Sequence, residues 1–330
     1  MTVKAATLVE PGRIVIAELP DPEPGPDDVR IAVAGVGLCG SDLSVFRGTW
    51  KAPRYPWIQG HEAFGTIEAV GERVPDERIG ETVIVEPNVA CGTCAQCLRG
   101  RTSGCARRQS VGMNRPGALA EKLVVPAGNA WRIRPRAAID LVCAEPLTVV
   151  ETALRRLPTQ LPEAALVIGV GAQGLLMCIA LQRRGVAAHA VDVNPDRVAF
   201  ARTLGAMPLA EDDEEQRFDL VIDSAGTPES VGLAVARAEI GGTIVELGLE
   251  SRPFELSAQT LVRRQLVLRG SLTYDHPGDF AATVALLDDG AVEPGRVVTD
   301  EYAFEDAHQA FQCSATSRGK TWIRLSPALP

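Results

Sequence analysis

The chain has 330 residues, 46% of them hydrophobic and 23% charged, and a net charge of −9. That length is too great for one small core and fits roughly two domains. An acidic chain without a basic stripe argues against a nucleic-acid partner, because phosphate contacts need clustered Lys and Arg to release counterions. The opening MTVKAATLVEPGR lacks a positive region followed by a long apolar stretch, so no secretory signal is expected. The chain reads as soluble and cytoplasmic, without a membrane partner, and a reducing compartment makes disulfides a poor explanation for clustered cysteines.

The first ~150 residues read as short strands broken by Gly and Pro: VKAATL, RIVIAEL, DVRIAVAGV, GTIEAVG, ETVIVEP and EKLVVP. PDPEPGPDD (20–28) is one of the breakers, and the pattern predicts an antiparallel, barrel-like β domain.

Within this region Cys91, Cys94, Cys97 and Cys105 form C-x2-C-x2-C-x7-C. Two-residue loops let successive thiolates face one ion, and four sulfurs complete a tetrahedron around zinc with no position left for substrate. An iron–sulfur cluster is the competing reading, weakened by its need for a redox partner.

From about Leu147 the pattern changes. ALVIGV, AHAVDV, LVIDSAG, TIVELGL and LVLRGS suit strands buried on both faces. Helical patterns alternate with them, including PDRVAFARTLGA (195–206) and PESVGLAVARA (228–238), each with Pro near its first turn. This alternation predicts a doubly wound parallel sheet. The run 164–181 has eighteen residues without a charge, close to a membrane span, but three glycines and a glutamine interrupt it. TIVELGL is a plausible edge strand for subunit contact. The acidic run EDDEE (211–215) reads as a solvated loop, DFAATVALLDDG as a helix, and TWIRL as a closing strand that returns to the first domain.

The interrupted run contains G-x-G-x-x-G at Gly169, Gly171 and Gly174, directly after a predicted strand and opening a predicted helix. Gly169 permits the tight turn, Gly171 lets the backbone approach a pyrophosphate, and Gly174 lets helix and strand pack closely. Ala172 and Gln173 complete the turn, whose helix N-terminus offers free N–H donors to phosphate. Asp192 ends the second strand eighteen residues after Gly174, placed to accept both adenosine-ribose hydroxyls and repel a 2′-phosphate. NAD is therefore favoured over NADP, although Arg197 lies five residues on and is able to assist a phosphate.

In these features the chain resembles the zinc-containing medium-chain dehydrogenases, over nearly its full length. The resemblance runs through GLCGSDLSVFRG (37–48), the GHE of QGHEAFG (59–65), the cysteine lobe, AEPL (144–147), GVGAQG and GSLTYDHPGDFAATVALLDDGAV (270–292). It implies a GroES-like β-barrel catalytic domain (1–148 and 276–330, with a structural-zinc lobe at 88–108) and a Rossmann domain (149–275).

The resemblance also implies a second, catalytic zinc on Cys39 and His61. Glu62 lies close by, and Glu145 serves as ligand or water-mediated partner, an arrangement like that of the polyol branch. Cys143 keeps a lesser claim to that position, and either glutamate is open to a supporting place behind the ligands. An open zinc polarises the substrate oxygen while hydride passes to nicotinamide. By the same resemblance Ser41 receives the alcohol proton and passes it to the cofactor ribose.

Ser44 stands where many relatives have a relay histidine, and serine cannot buffer a proton near neutral pH. Asp42 reads as structural. His189, His276 and His308 read as surface residues without a supporting constellation. Phe46, Trp50, Tyr55, Trp57 and Tyr274 are pocket candidates, with ordinary core packing as the equal alternative. The implied substrate is a secondary alcohol on a polyol, sugar or cyclitol, and the implied assembly a homodimer or homotetramer. A weaker likeness, over GLCGSDLSVFRGTW and YPWIQGHE, is to 2-deoxy-scyllo-inosamine dehydrogenases of aminoglycoside pathways. Threonine 3-dehydrogenase relatives stay open. A zinc-free quinone reductase or a non-catalytic homologue is disfavoured by Cys39, His61 and Glu145, which neither needs.

Overall fold

The computed structural model describes residues 1–209 and 215–325, so most of the predicted acidic loop at 211–215 lies outside the described residues. The chain divides into two compact units, Met1–Glu145 with Tyr274–Pro330, and Pro146–Thr273.

The first unit opens with β1 (Thr2–Glu10), β2 (Arg13–Pro20), β3 (Asp28–Gly37) and the short helix α1 (Gly40–Phe46). Then come β4 (Trp57–Ile58), β5 (Glu62–Val70), β6 (Thr82–Val85), β7 (Asn88–Val89), α2 (Ala95–Leu98), β8 (Gln109–Ser110), β9 (Lys122–Pro126), β10 (Ala130–Arg132) and α3 (Ala138–Leu141). Helix α4 (Ala144–Arg155) crosses the division between the units.

The second unit continues with β11 (Ala164–Ile168), α5 (Ala172–Arg183), β12 (Ala187–Val191), α6 (Pro195–Thr203), β13 (Met207–Pro208) and β14 (Phe218–Asp223). It ends with α7 (Pro228–Arg237), β15 (Ala238–Glu246), α8 (Ala258–Arg263) and β16 (Val267–Gly270). The tail supplies α9 (Gly278–Asp288), β17 (Val298–Ala303), α10 (Ala307–Ser314) and β18 (Lys320–Arg324) to the first unit.

In the first unit a seven-stranded sheet runs β10-β6-β5-β3-β18-β17, with β9 also paired to β3. Its pairs are antiparallel except β17 with β18. The alternation in these strands sends Ile31, Ile67, Val83, Val125 and Ile323 into one core with Leu8 of β1. The closing strand TWIRL lies beside β3, deep in the sheet, as its apolar character requires.

The second unit is an all-parallel sheet in the order β13-β12-β11-β14-β15-β16. Leu166, Val167 and Ile168 are buried on both faces, which explains their unbroken apolar run. Helices start where the caps allow: Asn194 accepts from the Asp196 N–H before Pro195, and Thr227 and Ser230 form a capping box around Pro228.

One expectation is overturned. TIVE of TIVELGL belongs to β15, which is flanked by β14 and β16; the edges are β13 and β16. Apolar content marks burial and cannot separate an inner strand from a covered edge. The uncharged run at 164–181 is divided between β11 and α5 by the glycine turn. No helix among the described residues is long and apolar enough to cross a membrane.

Candidate active site and metal centres

β3 ends at Gly37, and the chain turns through Leu38 to Cys39, which caps the N-terminus of α1. Gly60, at φ +88°, makes the turn that brings His61 and Glu62 to the start of β5, next to β3. A sulfur of Cys39, a ring nitrogen of His61 and an oxygen of Glu62 lie within 4.8 Å of one another. Thiolate, imidazole and carboxylate form a donor set suited to zinc, and three protein ligands leave a position for a small molecule.

Asp42 organises this cluster. Its buried carboxylate accepts from the N–H of Cys39 and of Gly60, both at 3.1 Å, and lies 3.3 Å from Nδ1 of His61. The backbone carbonyl of Asp42 accepts from the Gln59 side chain at 2.8 Å. Burial opposes a charge on His61, but Asp42 and Cys39 outweigh it and raise the imidazole pKa well above its ordinary value. A carboxylate behind a ligating histidine fixes its tautomer and ring orientation. Asp42 is the structural residue expected, and what it holds in place is the cluster itself.

Glu62 is paired with Lys320, and both are almost fully buried. The ammonium also donates to the Leu38 carbonyl at 3.3 Å. A Cβ on Gly37 would fall 2.3 Å from a Glu62 oxygen and 2.8 Å from the Lys320 side chain, so only glycine lets β3 pass this pair. Nothing in the sequence around Lys320 signals a partner 258 positions away.

Glu145 and Cys143 are buried outside the three-residue cluster. Burial pushes Glu145 up to about 7, against the pull of His61. Its partner is the Tyr274 hydroxyl, which also accepts from the Asn88 side chain at 3.1 Å. Cys143 is raised by burial. Ser41 sits in the first turn of α1, and the Ser44 hydroxyl is spent on the Gly40 carbonyl at 3.0 Å.

Of the aromatic candidates, Phe46 packs on Phe311, Trp50 lies against the same core, Trp57 donates to the Gly112 carbonyl, and Tyr55 is largely exposed. Tyr274 is the candidate tied to a predicted site residue. None of the three remaining histidines is a plain surface residue. His276 contacts the buried Glu86 at 2.8 Å, His308 accepts from the Ile14 N–H, and His189 packs at a tilt against Phe218 with its Nδ1 buried. Burial was invisible for each because the partner is remote in sequence.

In the lobe, Cys94 caps α2, and positive-φ glycines at 92 and 100 fold the loop around it. The four sulfurs lie within 4.8 Å of one another, with Cys91–Cys97 at 3.9 Å and Cys94–Cys97 at 3.5 Å. A tetrahedron of thiolates with ~2.3 Å zinc–sulfur bonds has edges of about 3.8 Å, which these separations fit. Hydrogen bonding from the Thr93 backbone leads the effects that bring Cys91 down to about 5, and Arg107, 3.5 Å away, adds to them. The lobe is fastened to the tail: the His276 N–H donates to Thr102 at 2.6 Å, and Ser103 N–H to Asp275 at 2.8 Å.

In the second unit the glycine turn has the shape its motif requires. Gly169 adopts φ +79°, and a Cβ on Gly174 would lie 2.0 Å from the Gly169 carbonyl oxygen. At Gly171 a Cβ would meet nothing within 4 Å, so the backbone is open to a ligand. Helix α5 begins there, at Ala172 and Gln173, without a side-chain cap, leaving its N–H donors for phosphate. Asp192 braces the turn by accepting from Val170 N–H at 2.9 Å and Asn194 N–H at 2.8 Å, and Arg197 stands 3.8 Å away. The open glycine and uncapped helix fit a dinucleotide.

Comparison with known proteins agrees with this geometry. Residues 25–135 match the alcohol dehydrogenase GroES-like domain family, and residues 172–289 the zinc-binding dehydrogenase family. D-altritol 5-dehydrogenase of Agrobacterium fabrum is 33% identical over 279 residues, 81% of this chain and 83% of that protein. L-threonine 3-dehydrogenase of Streptomyces avermitilis is 32% identical over 331 residues, covering 94% and 95%. The crystal structure of an E. coli CFT073 alcohol dehydrogenase (rspB) complexed with cofactor NADH superposes with a TM-score of 0.90 at 28% identity, covering 98% of this chain and 99% of that one. Likeness this deep along the whole chain means that the protein belongs to the family of zinc-binding medium-chain alcohol and polyol dehydrogenases, NAD(P)-dependent oxidoreductases.

Proposed function

We propose that this dehydrogenase transfers hydride between NAD(H) and a secondary alcohol or ketone carbon of a polyol, sugar or cyclitol. It would do so with one zinc on Cys39, His61 and Glu62 and a second, structural zinc on Cys91, Cys94, Cys97 and Cys105. The observation that carries the reading is the convergence of Cys39, His61 and Glu62, brought from two strand ends to within 4.8 Å. Zinc supplies a Lewis acid that acidifies the substrate hydroxyl, and nicotinamide supplies the hydride acceptor.

The remaining work falls to the chain. Asp42 holds His61 in one orientation and anchors the Cys39 and Gly60 backbone. Lys320 neutralises Glu62 in a water-poor site. Glu145 stands behind the cluster as a supporting carboxyl, held by Tyr274. Ser41 takes the hydroxyl proton, and with Ser44 bound to its own helix, water completes the exit. Asp192 accepts the adenosine-ribose hydroxyls, which favours NAD over NADP.

The catalytic domain spans 1–148 and 276–330, and the cofactor domain 149–275. Two copies pair through the β16 edge, where Val267 and Leu268 are exposed. The relatives are also consistent with threonine as substrate; an aminocyclitol rests on the weaker sequence likeness alone. Initial rates with NAD+ and NADP+ across polyols, sugars, aminocyclitols and threonine test the assignment. NAD+-linked oxidation of a polyol, sugar or cyclitol supports it. Turnover of threonine alone, or of none of them, overturns it.

A further inference from the structure

Glu246 ends β15 in register with Asp223, the last residue of β14. Neighbours in register share a face, so the two carboxyls stand side by side at the carboxyl ends of the strands, where open parallel sheets bind ligands. Both Glu246 oxygens are withdrawn from solvent, and neither meets a donor.

Asp223 is fully buried, and its oxygens are occupied. Oδ1 accepts from the N–H of Ala225 at 2.9 Å and of Gly226 at 3.0 Å, and Oδ2 from the Ser230 hydroxyl at 2.6 Å. The Asp223 carbonyl accepts from the N–H of Leu247 and Gly248, at 2.8 and 3.2 Å. Asp223 thus ties the turn after β14 to the turn after β15. The turns touch: a Cβ on Gly226 would meet Gly248 at 2.4 Å, and one on Gly248 would meet Gly226 at 2.2 Å. Ala225 in turn packs against Gly169 of the dinucleotide turn.

Two neighbouring carboxylates repel unless they share a proton, which converts the contact into a short, strong hydrogen bond. The surrounding charges do not relieve them. Arg269 of β16 lies opposite Val245, on the other face, and donates to the Arg156 carbonyl at 2.8 Å. Arg264, after α8, is bound to carbonyls of Val235 and Ala238, at the far end of β15. Glu229 of α7 is engaged with Arg252 at 3.4 Å. Among the described residues, Asp223 is the charged group that acts on Glu246.

We propose that Glu246 is a positioning residue of the cofactor site: its protonated carboxyl donates to Asp223 and locks the turn after β15 to the turn after β14, which packs on the dinucleotide loop through Ala225. The inference rests on the NAD reading of that loop. Burial first, and the Asp223 charge second, push Glu246 up to about 8. The proton is held at neutral pH and lost as pH rises through that value, leaving two like charges under the turns. Cofactor affinity then falls on the alkaline side, by at most about tenfold between pH 7 and 9 for a single proton.

NADH titrations followed by fluorescence, from pH 6.5 to 9.5, test this on the full-length wild type and two variants. Glu246→Gln keeps a donor for Asp223 and cannot ionise, so it should bind at pH 7 like wild type and lose the alkaline weakening. Glu246→Met should bind more weakly at pH 7 and be equally flat with pH. A wild-type affinity that does not change with pH, or the same alkaline weakening in both variants, overturns the inference. Failure of wild type to bind NADH at pH 7 instead defeats the cofactor reading on which it rests.

Discussion

Replacing Asp42 by asparagine probes how the metal cluster is held. The carboxylate offers acceptors to three groups: Cys39 N–H, Gly60 N–H and His61 Nδ1. An amide has one oxygen and one NH2, so either orientation presents a donor to a buried donor. If the oxygen faces Gly60, Cys39 N–H and His61 lose their acceptor; if it faces them, Gly60 does. Hydrogen bonds to a charged group are worth ~1.5–3 kcal/mol each, and loss of a carboxylate behind a metal ligand lowers affinity about 10- to 100-fold. Asp42→Asn should therefore weaken the more labile of two bound zincs by about one to two orders of magnitude. Competition with a chromogenic chelator measures this, with the cysteine-lobe zinc as internal control. Zinc affinity within about twofold of wild type, at equal melting temperature, would refute the reasoning.

Four further outcomes follow from the same geometry. In the zinc-free protein Lys320→Met should destabilise the fold by ~3–5 kcal/mol, because it strands Glu62 as a buried unpaired charge. Adding Glu62→Gln should recover most of that in denaturant melts, and an equally unstable double variant would contradict the pairing. Gly174→Ala should abolish NADH binding, since its Cβ would lie 2.0 Å from the Gly169 oxygen, while Gly171→Ala should fold normally and weaken binding alone. Calorimetric titration separates the two. The hydrogen bond to Glu86 raises the His276 pKa, so its stabilisation is full below the ordinary histidine value and fades as pH rises through the folded one. The melting-temperature difference between wild type and His276→Gln should shrink over that interval; a constant difference would argue against the pair. Finally, Asp192→Ala should weaken NAD+ sharply, and unchanged affinity would remove Asp192 from the ribose site.

What the sequence revealed was local. Gly169, Gly171 and Gly174 lie within six residues and are legible because each answers to a nearby backbone constraint. The four lobe cysteines are legible for the same reason, and the apolar runs of β11, β12 and β14 follow from burial on both faces. Asp42 is adjacent to the motif and reads only as structural, because its reach to Gly60 and His61 depends on how β3 and β5 pair. Lys320, Asn88 and Glu86 had no signal, since each meets its partner only through the closing strand or the tail. TIVELGL reads as an edge and lies inside the sheet, because strand order is a property of the sheet and not of the segment.

The central claim is a dehydrogenase with two separable zincs, one in reach of substrate. Elemental analysis of the purified wild type, Cys39→Ala and Cys94→Ala tests it most directly, with NAD+-linked turnover of a polyol measured in parallel. Two zincs per wild-type chain and one in each folded variant are expected, with activity absent from Cys39→Ala. A wild-type chain holding a single zinc, lost with Cys94→Ala and kept in Cys39→Ala, would contradict it.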